Sequence, residues 1–306
     1  MHVHALTYLP VGFGDHHWRA DTATQPYFIT VRDLRLDGRS DAAIAMLEHT
    51  FAAVRRLNHA AELDFIIAAL PGASGAAVAP LGRDYALTVY DWLDVRTVPD
   101  PDGDVAASLV ARLHEASRRH PVDAVHDDFS IRHRWACEAA LRELDQPWLE
   151  GPFGEPAREL LARHADELRA ALDAYDRFAR GAAATTAGWC LTHGEPTGDN
   201  LVQDASGRAF LVDWESARVA PPERDLWQLA DRANGRAPLL TMYRLLWDLA
   251  ETSVYLLQFR SQHTADDNMV ESWRNYQTFL PTRARWPDLL GAAAPEKHST
   301  QEAEGS

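Results

Sequence analysis

The sequence predicts an α+β fold in two lobes, a small N-terminal lobe built on an antiparallel β-sheet with one helix and a larger, mainly α-helical C-terminal lobe. Three observations predict it. β-type runs separated by glycine turns crowd the first third of the chain, helical periodicity dominates the rest, and a polar, breaker-rich stretch, Pro99-Asp-Pro-Asp-Gly103, lies between them. The 306 residues suffice for two substantial cores.

In chain order, Val3–Leu9 reads as a short strand and Val11–Asp15 as a glycine turn. Tyr27–Val31, rich in aromatic and β-branched residues, reads as the strand that pairs with the first. Asp41–Leu57 sets Ile44, Leu47, Phe51, Val54 and Leu57 at helical spacing behind a Ser40/Asp41 start signal. Phe65–Leu70, Gly75–Leu81 and Tyr85–Tyr90 read as three further strands, broken at Pro71-Gly72 and Gly82-Arg83. The lobe boundary falls near residue 95, giving lobes of 1–94 and 95–291. Helices are expected over Val105–Arg118, Ile131–Leu144 and Glu155–Arg180, where Leu160, Leu161, His164, Leu168, Leu172 and Tyr175 recur on one face. A hairpin interrupts them: Gly188–Thr192, then a polar loop, then Ala209–Trp214 beyond the turn Asp204–Gly207. Helices resume over Asp225–Phe259 and Asp266–Phe279, and the apolar-poor residues 292–306 are expected to be a disordered tail.

Thirty Lys and Arg stand against 45 Asp and Glu, a formal charge of −15, so nucleic-acid and anionic-membrane partners are excluded over most of the surface. The same field favours a cationic small molecule. No signal-peptide pattern and no apolar run of about 20 residues is present, and the two cysteines, Cys137 and Cys190, lie far apart. These features fit the cytoplasm. Lys297, in the tail, is the only lysine, so a phosphate contact inside the fold must come from arginine, backbone N–H groups or metal.

The chemistry concentrates in Leu191-Thr-His-Gly-Glu-Pro-Thr-Gly-Asp-Asn-Leu-Val202 followed by Leu211-Val-Asp-Trp-Glu215. Glu195 and Asn200 are five apart on a Pro/Gly-punctuated loop, and Asp213 ends the next apolar strand. Phosphoryl transfer requires a carboxylate to deprotonate an acceptor hydroxyl and oxygen ligands for Mg²⁺. Glu195 supplies the first, Asn200 and Asp213 the second. An ordinary polar turn is the competing interpretation. His193-Gly-Glu195 also spells the H-x-E of zinc deaminases, but the P-C-x-x-C partner that such a site needs is missing.

These residues resemble the aminoglycoside phosphotransferase family of kinase-like enzymes, whose loop has the form His-x-Asp-x-x-x-x-Asn and whose next strand carries a metal-binding Asp. The segments YLPVGFGDHHW and APPERDLW look most like its spectinomycin-phosphotransferase branch. The resemblance covers roughly residues 1 to 288 and implies a protein-kinase-like fold with an N-terminal nucleotide-binding lobe. It also implies a catalytic-base place for Glu195, a loop-bracing role for His193 and Mg²⁺ places for Asn200 and Asp213. Asp225 matches an acidic residue that holds the loop backbone; as a bare sequence position it reads as an N-cap of the helix near Leu226. Gly12 and Gly14 match a phosphate-covering turn, and Asp91, Trp92 and Leu93 the hinge that reads the adenine.

Two positions depart from the family. Glu195 stands where the loop carries aspartate, and Thr30 falls where the phosphate-binding lysine is expected. Arg32, on the same side of the strand, is the candidate replacement. Asp127, Asp128, Glu215, Asp266, Asp267 and Glu271 are the candidate carboxylates for substrate amines. The resemblance implies an ATP- or GTP-dependent, Mg²⁺-requiring kinase acting on a hydroxyl of a small polar compound such as an aminoglycoside or aminocyclitol antibiotic. The alternative, supported by the two departures, is a weak or inactive kinase-like protein that binds nucleotide or a small molecule.

Overall fold

The computed structural model describes residues 2–11, 15–34, 41–98, 103–229 and 235–280. Five antiparallel strands open the chain: β1 (Val3–Leu9), β2 (His16–Thr22), β3 (Pro26–Asp33) and, after helix α1 (Asp41–Ala61), β4 (Val78–Leu81) and β5 (Tyr85–Asp91). Their order in the sheet is β1-β2-β3-β5-β4. The strand count matches the sequence reading, but one member differs. The polar segment His16–Thr22 is a strand because it is hydrogen-bonded on both sides, by β1 and by β3, and needs no apolar alternation to hold it. Phe65–Leu70, expected as a strand, makes an isolated parallel bridge from Ile66 to Leu211 and one hydrogen bond from the Leu70 N–H to the Val89 carbonyl (2.8 Å). Its apolar residues fill the interior, with Phe65, Ile66 and Ala69 buried.

After β6 (Val95–Thr97) come α2 (Asp104–Arg119), α3 (Arg134–Arg142) and α4 (Gly154–Ala183). Strands β7 (Cys190–Thr192), β8 (Leu201–Asp204), β9 (Ala209–Leu211) and β10 (Arg218–Ala220) follow. The last helices are α5 (Glu223–Leu226), α6 (Ala237–Phe259) and α7 (Asp267–Phe279). The long helix expected over Asp225–Phe259 is thus two elements, a single turn followed by α6. β8 pairs with both β6 and β9, and β10 pairs with β7.

Contacts divide the chain into two compact units, Met1–Asp127 with Thr186–Arg236, and Asp128–Thr185 with Ala237–Ser306. The boundary expected near residue 95 falls between β5 and β6, inside the first unit. That unit's core joins Phe51, Val54 and Leu57 of α1 and Leu109, Val110 and Leu113 of α2 to Leu191, Leu201, Leu211 and Trp214. The strands that carry the polar loop therefore end in the densest apolar region, which fixes their positions. In the second unit, α4 buries Leu161, Leu168, Leu172 and Tyr175 on the predicted face, and the Tyr175 hydroxyl donates to the Phe129 carbonyl at 2.6 Å. Among the described residues no helix is long and apolar enough to cross a membrane.

Candidate functional site

The described residues of the predicted base, metal and nucleotide sets lie in the first unit. β7 leads into the loop His193–Thr197, a single 3₁₀ turn spans Gly198–Asn200, and β8 and β9 return the chain to Asp213. Asp213 adopts the left-handed conformation (φ 63°), which turns the chain from the strand end into the 3₁₀ turn Trp214–Ser216.

The loop is tied to the strand that leads to Asp213 at one residue. The N–H of Val212 donates to the Asn200 carbonyl (3.0 Å), and the Val212 carbonyl lies 2.8 Å from His193 Nε2. His193 Nδ1 accepts from the Glu195 N–H (3.3 Å), so the ring is a neutral tautomer protonated on Nε2. Burial pushes its pKa down to about 4, against the opposing pull of Asp225, and its ring packs edge-on against Trp214. The loop-bracing role expected of His193 thus has a geometry.

Asp225 lies within α5, not at its N-cap. Its carboxylate accepts from the backbone N–H groups of His193 (3.1 Å) and Gly194 (2.6 Å) and pairs with His114 Nε2 at 2.8 Å. Burial acts to raise its pKa, but the His114 hydrogen bond and charge, with the Gly194 N–H, outweigh it and hold the carboxyl below its ordinary value.

Arg224 clamps the other side of the loop. Its guanidinium donates to Thr192 Oγ1 (3.1 Å) and the Ser216 carbonyl (2.8 Å), while the Ser216 hydroxyl donates to the His193 carbonyl (2.7 Å). Gly194 has φ +102°, and a Cβ there would sit 2.6 Å from the same guanidinium. Thr197 is held by Gln228 at 2.6 Å. Sequence reasoning missed His114, Ser216, Arg224 and Gln228. The segment APPERDLW contains Arg224, but nothing in local spacing shows what it touches.

The electrostatics place Glu195, Asp213, Glu215 and Asp15 in one neighbourhood. Burial, then the charges of Glu215, Glu195 and Asp15, push the Asp213 carboxyl up to about 7, with Arg32 opposing them. The donor set fits Mg²⁺, a hard cation that takes one or two carboxylates and keeps several waters. Asn200 Nδ2 donates to the Glu195 carbonyl (3.1 Å), which leaves the amide oxygen as its ligand end. Among the described residues no cluster of three or more His, Cys, Asp or Glu forms a complete metal cage.

Arg32 does sit on the site side of β3, where its guanidinium forms an ion pair with Glu215. Thr30 faces His17, whose Nδ1 is 3.2 Å from its hydroxyl. Gly12 and Gly14 lie outside the described residues. Of the hinge triplet, Asp91 accepts from Gln25 (3.0 Å), the Trp92 indole donates to Asp94 (2.8 Å) under the Arg19 guanidinium, and Leu93 is half-buried.

The six candidate amine-binding carboxylates divide between the two units. Asp127 and Glu215 belong to the first unit and face Arg224 (3.8 Å) and Arg32. Asp128, Asp266, Asp267 and Glu271 belong to the second. There Asp128 accepts from the Ser130 N–H (2.9 Å), Asp266 caps α7 through the Met269 N–H (3.0 Å), Asp267 is exposed in the first turn, and Glu271 pairs with Arg274 (3.4 Å).

The fold is kinase-like. It matches spectinomycin phosphotransferase APH(9)-Ia in complex with ADP and spectinomycin at a TM-score of 0.67 and 13% identity, over 95% of this chain and 93% of that one. Choline kinase LicA from Streptococcus pneumoniae matches at a TM-score of 0.55 and 12% identity, over 92% and 94%. A ternary complex of a thermostable APH(4)-Ia mutant with AMP-PNP and hygromycin B matches at 0.54 and 14%, over 92% and 95%. In sequence, Protein StrN of Streptomyces griseus is 32% identical over 239 residues, 71% of this chain and 72% of StrN. The sequence model of the phosphotransferase enzyme family matches residues 6–255, which include every element from β2 to α5 and the whole His193–Asn200 loop. The chain belongs to the phosphotransferase enzyme family.

Proposed function

We propose that the protein is a small-molecule kinase that moves the γ-phosphoryl group of ATP or GTP onto a hydroxyl of a polar, cationic compound of the aminoglycoside or aminocyclitol kind. The carrying observation is the double tie at Val212, which sets the Asn200 and Glu195 loop against Asp213. Structural neighbours crystallised with ADP and spectinomycin, and with AMP-PNP and hygromycin B, support the choice of nucleotide and acceptor class. The −15 charge supports a cationic acceptor.

In this reading Glu195 takes the proton of the acceptor hydroxyl as that oxygen bonds to the γ-phosphorus. The bond from the phosphorus to the β–γ bridging oxygen breaks, and the nucleoside diphosphate leaves with the electron pair. Mg²⁺ bound by Asn200 and Asp213 would neutralise charge on the phosphates. His193 and Asp225 act beneath the loop, holding the backbone from which Glu195 projects. That bracing matters because Glu195 is one methylene longer than aspartate and has an extra torsion to restrict.

The test is Mg²⁺-dependent thermal stabilisation by ATP and GTP, followed by γ-phosphate transfer to a panel of aminoglycosides, aminocyclitols and sugars. Transfer that is lost in Glu195→Ala while nucleotide stabilisation persists is the expected result. Nucleotide binding with no transfer to any acceptor would leave a kinase-like binding protein, and absence of nucleotide binding would remove the reading altogether.

A further inference from the structure

Thr30, where a lysine was expected, does not face the site alone. Across the β2–β3 ladder it lies directly opposite His17, and Phe28 lies opposite Arg19, so these side chains share one face of the sheet with Arg32. The ladder from β3 to β5 adds Thr88 and Tyr90 to the same face. That this face looks onto the turn after Asp213 follows from Glu215, which pairs with Arg32 and whose charge acts on both His17 and Tyr90.

On β2 and β3 this face carries nitrogen at Arg19, His17 and Arg32. Arg19 is committed to Asp21 (2.8 Å) and lies over the Trp92 ring, and Arg32 is committed to Glu215. His17 is placed differently. Its ring lies on Phe28, with centroids 5.1 Å apart and planes 27° from parallel, and its Nδ1 is 3.2 Å from the Thr30 hydroxyl. The stacking sets the plane of the imidazole, and the hydrogen bond sets its rotation within that plane. Burial first, then the neighbouring His16, hold its pKa below the ordinary histidine value, with Glu215 pulling the other way. The ring at neutral pH therefore has one N–H and one bare nitrogen. Nδ1 meets a hydroxyl that can donate, while Nε2, on the far side of the ring, has no hydrogen bond among the described residues.

We infer that His17 is a phosphate-binding residue of the nucleotide site: the Thr30 hydroxyl donates to Nδ1, and the N–H on Nε2 donates to a phosphate oxygen of the bound nucleoside triphosphate. The inference rests on the kinase reading above. Threonine then has a task at the lysine position, since it fixes which nitrogen of His17 carries the proton, and a neutral donor to an anionic oxygen takes over part of what an ammonium would do.

Calorimetric titration of the full-length protein with Mg²⁺–ATP and, separately, with adenosine tests it without turnover; where GTP is the nucleotide bound, Mg²⁺–GTP and guanosine take their places. His17→Ala is expected to weaken ATP by about tenfold or more and adenosine by less than about twofold. His17→Gln sets an amide N–H near the position of Nε2 and is expected to recover most of that loss, whereas His17→Asn reaches only to the place of Nδ1 and is expected to recover none. Should His17→Ala fold poorly, the comparison of Gln with Asn decides, because both remove the ring. Equal losses for ATP and adenosine, unchanged ATP affinity in His17→Ala, or recovery by Asn or by neither amide would overturn the inference and leave the kinase reading standing. If the unaltered protein binds neither ATP nor GTP, the kinase reading itself falls and this inference with it.

Discussion

His193 Nε2 lies 2.8 Å from the carbonyl oxygen of Val212, the residue immediately before Asp213. Because the Val212 N–H is already given to the Asn200 carbonyl, both backbone groups of this residue are spent on the His193–Asn200 loop. Asp213 is thereby held at a fixed offset from Asn200 and Glu195, and the neutrality of His193 becomes a condition of the geometry.

That condition predicts an acid sensitivity. The folded-state pKa of His193, about 4, is below its ordinary 6.5, so the unfolded chain binds more protons between those values. The contribution is fully present above pH 6.5 and is lost as pH falls through 4, amounting to about 3 kcal/mol. Urea denaturation across this range should show the loss, and His193→Asn should flatten that part of the profile while lowering stability at pH 7.

Asp225→Asn should cost about 3 to 5 kcal/mol at neutral pH, because it leaves His114 and two backbone N–H groups facing an amide in the interior. As pH falls from the ordinary aspartate pKa through the lower folded one the two proteins should converge, since the depressed carboxyl's contribution is lost over that interval. Chemical denaturation at pH 7 and at successive steps of acidification below the ordinary aspartate pKa measures both.

Gly194→Ala should cost about 1 to 3 kcal/mol from backbone strain alone. The added methyl also meets the Arg224 guanidinium, which cannot swing away without releasing Thr192 and Ser216. Combining Gly194→Ala with Arg224→Ala should therefore cost less than the sum of the two, as read from thermal melts.

In the second unit, Arg134 grips both carboxylate oxygens of Asp176 at 2.5 and 2.9 Å and reaches Glu138 at 2.7 Å. The side chains are about one-third exposed, so solvent screening limits Arg134→Ala to about 1 kcal/mol. Nucleotide stabilisation should persist at its original size. A loss of binding there would show that the helical unit bears on the site.

Much of the site was legible because it is local. His193, Glu195, Asn200 and Asp213 belong to one loop and hairpin, and Pro/Gly punctuation with an apolar strand on each side already brings their backbones together. The partners of those residues were not legible. His114 and Asp225 are 111 positions apart, and a histidine on an apolar helix face carries no mark of the carboxylate it will meet. Strand β2 was hidden for a related reason, since its polar composition is compatible with a strand only when neighbours pair on both sides.

The sequence by itself determined the strand-rich start and helix-rich remainder, the loop with its candidate base and metal ligands, and the absence of lysine from β3. Periodicity, turn chemistry and composition act over a few residues and can be read there. Only the tertiary structure decided that Arg32 meets Glu215, that Asp225 is buried against His114 and the loop N–H groups, and that Arg224 closes over Gly194. Charged groups withdrawn from water must find partners, and which partner each finds depends on how distant segments pack.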